Sequence, residues 1–282
     1  MKVHHVSCAT MCPASRRLVN GVGGYLETGE MCCHVLIVET DRDGIVLVDT
    51  GLGTADVADP KRRLGAPFVA ATRPRLAVEE TALRRVEALG HSLRDVRHVV
   101  PTHLDLDHAG GLSDFPDADV HVHAAELAAA TTRPTRHDRM RYRPIQLAHG
   151  PKWVEYSEEG EDWMGFRRVR AIAEDVYLVP TPGHSRGHVA VAVRDGDRWL
   201  LHCGDAYFFH GEVDGEAPCP PGLTFFQWYV AYDDAARKAN RDRLRALYTR
   251  TSGSGEVALF SAHCPVELAR FEKGSGGATI GA

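Results

Sequence analysis

The chain has 282 residues, of which 44% are hydrophobic and 25% are charged, the balance of a folded globular protein. Its formal net charge of −5 argues against a basic surface for nucleic acid or for an anionic membrane. No apolar run approaches the roughly 20 residues of a membrane span, and residues 1–14 lack a signal-peptide pattern. Seven cysteines, an odd number, favour free thiols over a disulfide framework. A cytoplasmic location is therefore the default expectation.

The first half of the chain alternates predicted strands and helices. Apolar and β-branched runs predict strands at 35–38, 45–48, 96–100 and 120–122, and helical spacing predicts helices at 79–90 and 124–130. The first two strands are separated by Asp41-Arg42-Asp43-Gly44, a sequence that favours a hairpin turn. Gly90 is the predicted C-cap of the first helix.

The second half opens with a long segment, 131–170, that shows no regular hydrophobic period. Beyond it, strands are predicted at 176–179, 189–193, 199–201 and 257–260, a helix at 233–249 and a loose tail at 274–282. No internal repeat interrupts this order. We therefore expect one domain over residues 1–282, of α+β or layered α/β class.

Histidine and aspartate recur where predicted strands end. These residues are His103, Asp105, Asp107, His108, His184, Asp205 and His263. A single His–Asp pair in a loop would count as two unrelated polar residues, because both are common in loops. Four such residues within 103–108, followed by three more at strand ends, favour a shared site instead. Imidazole and carboxylate bind zinc, iron and manganese, and seven such groups can hold two ions for hydrolysis.

In the order of its motifs, the chain resembles the metallo-β-lactamase superfamily of metal-dependent hydrolases. The motifs are Asp49-Thr50-Gly51, residues 102–111, Thr181-Pro182-Gly183-His184, Gly204-Asp205 and Ala262-His263. The motif order and Ala109-Gly110-Gly111 are most similar to the acyl-homoserine lactonases of that superfamily. The resemblance covers roughly residues 30–265 and implies a four-layer αββα sandwich with two metal ions at one edge of its sheets.

The resemblance also implies a ligand set. Site one consists of His103, Asp105 and His184, site two consists of Asp107, His108 and His263, and Asp205 bridges both sites. Asp49 matches a buried acid that supports the ligands without binding metal.

Asp105 is the departure from the family, because the usual His-x-His-x-Asp-His becomes His-x-Asp-x-Asp-His here. Each ion would then have two imidazoles and one private carboxylate, so the two sites look more alike than usual. Two divalent ions, three carboxylates and one hydroxide sum to about zero rather than about plus one, which would raise the pKa of the bound water. Two zinc ions are the first expectation, and Asp105 adds iron or manganese as alternatives. A centre with a single metal is the rival interpretation.

The resemblance implies a hydrolase that opens a lactone or cleaves a related carboxylic ester in a small molecule. A hydroxide that bridges the ions, oriented by Asp107, would attack the carbonyl carbon. Tyr207 is a candidate donor to the developing oxyanion, and a packed aromatic role is its alternative. The segments near 131–170 and 208–230 are predicted as loop insertions that cover the centre with an apolar pocket. Plain hydrophobic cover or a homodimer interface is the competing account.

Other functions stay open on the same ligand set. One is a small-molecule phosphodiesterase, and a second is an iron-dependent redox enzyme of the sulfur dioxygenase or oxygen reductase type. A regulatory protein with a vestigial centre is disfavoured because all seven ligand positions are filled.

Several residues near the motifs are expected to have supporting roles. His188 follows His184 by four residues and is expected to orient other groups rather than to bind metal. Cys203 and Cys264 lie beside ligands, but side chains next to a ligand on a strand point the other way. His121 and His123 alternate on a predicted strand and are expected to be structural.

Overall fold

The computed structural model describes residues 1–157, 160–172 and 175–274. No helix in these ranges is both long enough and apolar enough to cross a membrane. The predicted tail at 274–282 lies outside the described residues beyond Gly274.

The described strands form two six-stranded sheets. The first sheet has the order β1 (Lys2–Met11), β2 (Met31–Glu39), β3 (Ile45–Val48), β4 (Val96–Val100), β5 (Asp119–His123) and β6 (Lys152–Tyr156). The second has the order β12 (Val257–Phe260), β11 (Arg198–His202), β10 (Val189–Asp195), β9 (Val176–Pro180), β8 (Phe166–Ile172) and β7 (Glu161–Trp163). Strands β3 to β6 run parallel, as do β11 and β12, and the other neighbours are antiparallel.

The helices lie between these strands in the chain, except α11, which follows β12. They are α1 (Arg16–Asn20), α2 (Thr54–Ala58), α3 (Pro60–Arg63), α4 (Ala66–Thr72), α5 (Ala82–Ala88), α6 (Leu106–Ala109), α7 (Ala124–Thr132), α8 (Arg136–Arg141), α9 (Pro221–Val230), α10 (Asp234–Thr251) and α11 (Pro265–Gly274). Short 3-10 turns occupy Val78–Glu80, Leu93–Asp95, Gly110–Asp114, Pro144–Gln146 and His210–Glu212.

Side-chain alternation along the strands creates the layers. In β2, Leu36 and Val38 pack between the sheets, whereas Val35 and Ile37 pack on the opposite face, against the helical layer. Leu178 and Leu200 of the second sheet complete the core between the sheets. The outer faces are covered by α5 and α7 on the first sheet and by α10 on the second. The result is the predicted αββα sandwich.

Helices are present at the three predicted positions, and their first and last residues differ slightly from the prediction. Thr81 caps α5 by accepting a hydrogen bond from the Arg84 backbone N–H, which separates α5 from the preceding 3-10 turn. Gly90 has a φ of +88°, as its role after a helix end requires. Asp233 caps α10 by accepting from the Ala236 backbone N–H at 3.0 Å.

The expectation of an irregular loop over 131–170 is wrong for much of that segment, which contains α8, β6, β7 and part of β8. Its aromatic residues pack into the domain: Trp153 joins the layer outside the first sheet, and Trp163 and Phe166 join the layer outside the second. The strands β6 and β7 lie at sheet edges and carry charged residues that interrupt their short apolar runs, so neither strand shows a clear pattern in the sequence.

Candidate metal centre

The predicted ligands follow the ends of four strands. His103 lies after β4, and Asp105 stands immediately before the short helix α6, which carries Asp107 and His108. The other three ligands follow β9, β11 and β12, respectively. Because these strand ends meet at one edge of the sandwich, residues distant in sequence converge there.

Site one brings together His103, Asp105 and His184. The Asp105 Oδ2 atom lies 3.1 Å from the Nε2 atom of His184 and 3.3 Å from that of His103. One Asp205 oxygen, Oδ2, lies 3.3 Å from His184 Nε2 and 3.8 Å from His103 Nε2. Atoms that share a tetrahedral ion at its usual bond lengths lie about 3.3 Å apart, so this spacing suits a metal ion.

Site two brings together Asp107, His108 and His263. The Nε2 atoms of the two histidines are 3.2 Å apart, and Asp107 Oδ2 lies 3.4 Å from that of His263. The other Asp205 oxygen, Oδ1, lies 3.3 Å from His108 Nε2 and 3.1 Å from His263 Nε2. All seven predicted ligands therefore meet, and Asp205 turns one oxygen toward each site.

Buried polar atoms without hydrogen bonds give an independent test of whether the residues fit metal ions. His103 Nε2 and Asp205 Oδ1 are both buried and lack a hydrogen-bond partner. An unsatisfied buried polar atom is costly, so such atoms mark a place where a ligand or ion completes the structure. Both atoms point into the centre, and the donor set therefore fits two divalent ions.

Three of the four candidate ligand histidines have a partner for the ring nitrogen that faces away from the centre, and the Nδ1 atom of His184 is buried without one. The Nδ1 atoms of His108, His263 and His103 are paired with Asp49 Oδ2 at 2.8 Å, the Cys32 carbonyl at 2.8 Å and Thr102 Oγ1 at 3.0 Å, respectively. When Nδ1 carries the ring proton and donates a hydrogen bond to such an oxygen, the lone pair of Nε2 is directed at the centre.

The electrostatics of the two sites differ. Burial, and next the charge of Arg141, lowers the pKa of His184 to about 3, so its imidazole is neutral at neutral pH. Burial also opposes charging of His108, but Asp205 and Asp49 outweigh it and raise the pKa of His108 well above its usual value. The carboxylates around His108 therefore favour a positive charge on its ring.

Asp49 and His188 orient the candidate ligand residues but do not point into the centre. Asp49 Oδ1 accepts from the Thr102 backbone N–H at 2.7 Å, while its Oδ2 faces His108. The Asp205 backbone N–H donates to His188 Nε2 at 2.9 Å, which occupies the nitrogen that a metal would need. Both side chains have the supporting positions that were predicted for them.

Arg141, at the end of α8, is a charge that the sequence motifs do not reveal. Its Nη1 donates to Asp105 Oδ2 at 2.8 Å, and its Nη2 donates to the Val230 carbonyl. Burial alone would raise the pKa of Asp105, but Arg141 and then His103 hold it well below its usual range. The guanidinium offsets the negative charge that Asp105 adds, a contribution that a count of the ligands alone leaves out.

Glu126 is a second residue that the motifs miss. It is fully buried on α7 and accepts four hydrogen bonds. Its Oε1 accepts from the Leu104 backbone N–H at 3.0 Å and the Tyr142 hydroxyl at 2.9 Å, and its Oε2 accepts from the Ser185 hydroxyl at 2.6 Å and the Gly187 backbone N–H at 3.0 Å. Glu126 thus joins the two loops of site one to the end of α8. A lone glutamate in an alanine-rich helix carries no sequence signal of this role.

Cys33 and Phe208 also adjoin site two. The Cys33 thiol lies within 4.8 Å of ligand atoms of Asp107 and His263, whereas the cysteines discussed from the sequence, Cys203 and Cys264, belong to no such group among the described residues. The Phe208 ring stacks on the His263 ring with centroids 5.0 Å apart. Neither residue belongs to a metal-binding motif, so only the fold reveals them.

The catalytic role predicted for Tyr207 is not supported. Its side chain is fully buried in the layer outside the second sheet, and its hydroxyl donates to Glu267 at 2.9 Å. This hydroxyl is held by the carboxylate of α11 and stabilises the core. The packed aromatic role, the alternative for Tyr207, is the one observed.

The other histidines have structural contacts. His121 Nε2 pairs with His98 at 3.0 Å, and His121 Nδ1 pairs with the Tyr156 hydroxyl at 2.8 Å. His123 caps α7 by accepting from the Ala125 backbone N–H at 3.2 Å. The structural role predicted for His121 and His123 is confirmed.

Comparisons with known proteins agree with this geometry. The family model of the metallo-beta-lactamase superfamily matches residues 29–250. A probable metallo-hydrolase of Mycobacterium tuberculosis is 44% identical over 275 residues, which cover 96% of this chain and 83% of that protein. An N-acyl homoserine lactonase of Rhizobium johnstonii is 27% identical over 243 residues, which cover 83% of this chain and 82% of that protein.

A solved structure shares the fold at lower sequence identity. It is an N-acyl homoserine lactone hydrolase with the product N-hexanoyl-L-homoserine bound at its catalytic metal centre. It matches with a TM-score of 0.69 and 18% identity, covering 99% of this chain and 97% of that one.

Proposed function

Because the chain belongs to the metallo-β-lactamase superfamily, we propose that it is a metal-dependent hydrolase that uses a dinuclear centre to open a lactone or cleave a related carboxylic ester. The observation that carries this proposal is the arrangement of Asp205, whose two oxygens face two separate groups of ligands. A carboxylate in this position would be able to hold two ions, one with each oxygen.

The residues that would hold the ions are those of site one and site two together with Asp205. The chemistry that such a pair of ions supplies is polarisation of a carbonyl oxygen and a lowered pKa for a water molecule. Zinc is the first candidate metal, and iron or manganese is the alternative that the Asp105 carboxylate favours.

Asp107 is assigned the proton transfer. Its side chain is 11% exposed, against 5% for Asp205. Asp105 is 18% exposed but is paired with Arg141, whereas no arginine or lysine is among the ion-pair partners of Asp107 in the described residues. When water adds to the carbonyl carbon, Asp107 takes its proton and then returns it to the leaving alkoxide oxygen. The products are a carboxylic acid and an alcohol, which in a lactone remain one molecule.

Phe208 and Phe226 form an apolar wall beside site two. Their ring centroids are 5.8 Å apart, and Phe208 stacks on His263. An apolar wall next to a polar reaction centre suits an ester or lactone with a hydrocarbon substituent. The other aromatics of α9, Phe225, Trp228 and Tyr229, are 56–63% exposed, so they do not complete a closed pocket within the chain.

The test is a hydrolysis panel with metal-loaded protein. We expect turnover of lactones and aryl esters, loss of at least ~100-fold in kcat in Asp107→Ala, and little change in Tyr207→Phe. Turnover of phosphodiesters alone would overturn the carboxylic ester assignment. Oxygen consumption with the iron-loaded protein, without hydrolysis, would identify a redox enzyme instead. Metal analysis after growth in iron-replete medium decides between zinc and iron.

A further inference from the structure

Asp105 Oδ2 faces two kinds of neighbour at once, the Arg141 guanidinium and the imidazoles of site one. It accepts a hydrogen bond from Arg141 Nη1 at 2.8 Å, and it is also the oxygen that faces His103 and His184 across site one. A cation in site one would share this oxygen with a guanidinium. Because the shared oxygen gives part of its charge to Arg141, it is a poorer metal donor than a carboxylate oxygen without that partner.

Arg141 is held so that it cannot turn away from site one. Its Nη2 donates to the Val230 carbonyl at the end of α9, and only 6% of its side chain is exposed. The segment after Val230 is fixed in turn, because the Tyr232 backbone N–H donates to the His184 carbonyl at 2.9 Å. The positive charge of Arg141 is therefore a permanent neighbour of the site.

Site two has no equivalent charge. Among the described residues, the ion-pair partners of Asp107 are His108 and His263, at 3.9 and 3.4 Å, and no arginine or lysine is among them. The two sites, which have similar candidate ligands, thus differ in a charged neighbour outside the ligand set.

We propose that Arg141 weakens site one relative to site two, so that a divalent cation fills site two first. Removing the guanidinium would free the Asp105 oxygen for the cation and would also remove the repulsion between two positive charges a few ångströms apart. In a protein interior such repulsion corresponds to well over tenfold in a binding constant. This inference rests on the proposed metal centre but not on the proposed substrate, since it concerns binding alone.

The experiment is a calorimetric titration of metal-stripped protein in the presence of a competing chelator. It is carried out with Zn²⁺ and, separately, with Mn²⁺. For the wild type we expect two binding steps that differ by at least ~10-fold in dissociation constant, or one step if site one is too weak to fill. Arg141→Met is expected to tighten the weaker step by ~10-fold or more and to leave the stronger step within about twofold. Arg141→Lys, which keeps the charge, is expected to resemble the wild type more closely.

Asp105→Asn identifies the step that belongs to site one. It removes the carboxylate charge and is expected to weaken only the weaker step. The proposal would be overturned by two equal steps in the wild type or by a stronger step that responds to Asp105→Asn. Unchanged or weakened binding in Arg141→Met would overturn it as well. If Arg141→Met does not fold, Arg141→Gln keeps an amide donor toward Asp105 without the charge, and the same tightening is expected of it. Loss of lactone turnover with these binding results intact would refute the proposed substrate alone.

Discussion

Asp49→Asn tests how far a residue that touches no ion controls the metal centre. Both carboxylate oxygens of Asp49 are in use: Oδ1 accepts from the Thr102 backbone N–H at 2.7 Å, and Oδ2 faces His108 Nδ1 at 2.8 Å. Asparagine has one acceptor oxygen, so one of these contacts must be lost. Asp49 has a φ of +61°, a conformation that asparagine tolerates well, so the backbone need not change.

The expected magnitude follows from these contacts. Loss of one buried, charge-assisted hydrogen bond reduces the free energy of unfolding of the metal-free protein by about 1.5–3 kcal/mol. Loss of the partner that orients a metal-binding histidine typically lowers metal affinity by about 10–100-fold. We therefore expect His108, and with it site two, to lose about 1.4–2.7 kcal/mol of binding free energy.

The assays are urea unfolding of the metal-free protein and a chelator-competition titration with Zn²⁺. Asp114→Asn is the matched control, because Asp114 is also buried and accepts from Thr54 through both oxygens, at 2.5 and 2.9 Å. The control is expected to lose stability but to keep wild-type metal affinity. Wild-type affinity in Asp49→Asn, or an equal loss in Asp114→Asn, would refute the reasoning.

Three further predictions concern the core and the metal. Tyr207→Phe removes the hydroxyl bonded to Glu267 and is expected to cost about 1 kcal/mol of stability in urea unfolding, with kcat within about twofold of the wild type. Burial raises the pKa of Glu267 from 4.5 to about 7, so its stabilising contribution is complete below pH 4.5 and is lost as the pH rises through 7. The free energy of unfolding of Glu267→Gln, relative to the wild type, should therefore rise by about 3 kcal/mol between pH 4.5 and pH 8, and a constant difference would contradict this. Treatment with a chelator should lower the thermal unfolding midpoint, and added Zn²⁺ should restore it; a midpoint that ignores both would argue against a bound ion in the folded state.

The convergence of the seven candidate ligands was predictable because they follow recognisable strands in motifs of fixed order. Leu36 and Val38 show how the layers follow as well, since alternation along one strand assigns one face to each neighbouring layer. The segment 131–170 was not predictable, because Lys152 and Glu155 on the edge strand β6 interrupt the apolar pattern. An edge strand gains from such charges, since they discourage pairing with other chains. The charges that discourage pairing with other chains therefore also make the strand hard to recognise in the sequence.

Arg141 shows why counting ligands cannot give the net charge around a metal centre. It lies 36 residues after Asp105, in a helix whose pattern predicts nothing about the site, yet its contact with Asp105 determines the charge around site one. Glu126 reinforces this coupling, because the Tyr142 hydroxyl, next to Arg141 in the chain, donates to it at 2.9 Å. The Asp105 carboxylate is thus neutralised by Arg141, and Glu126 fixes the end of the helix that carries Arg141. For that reason Asp105→His alone should not restore a typical histidine-rich site: Arg141 would lose its carboxylate partner, and its charge would face the imidazoles of site one without compensation.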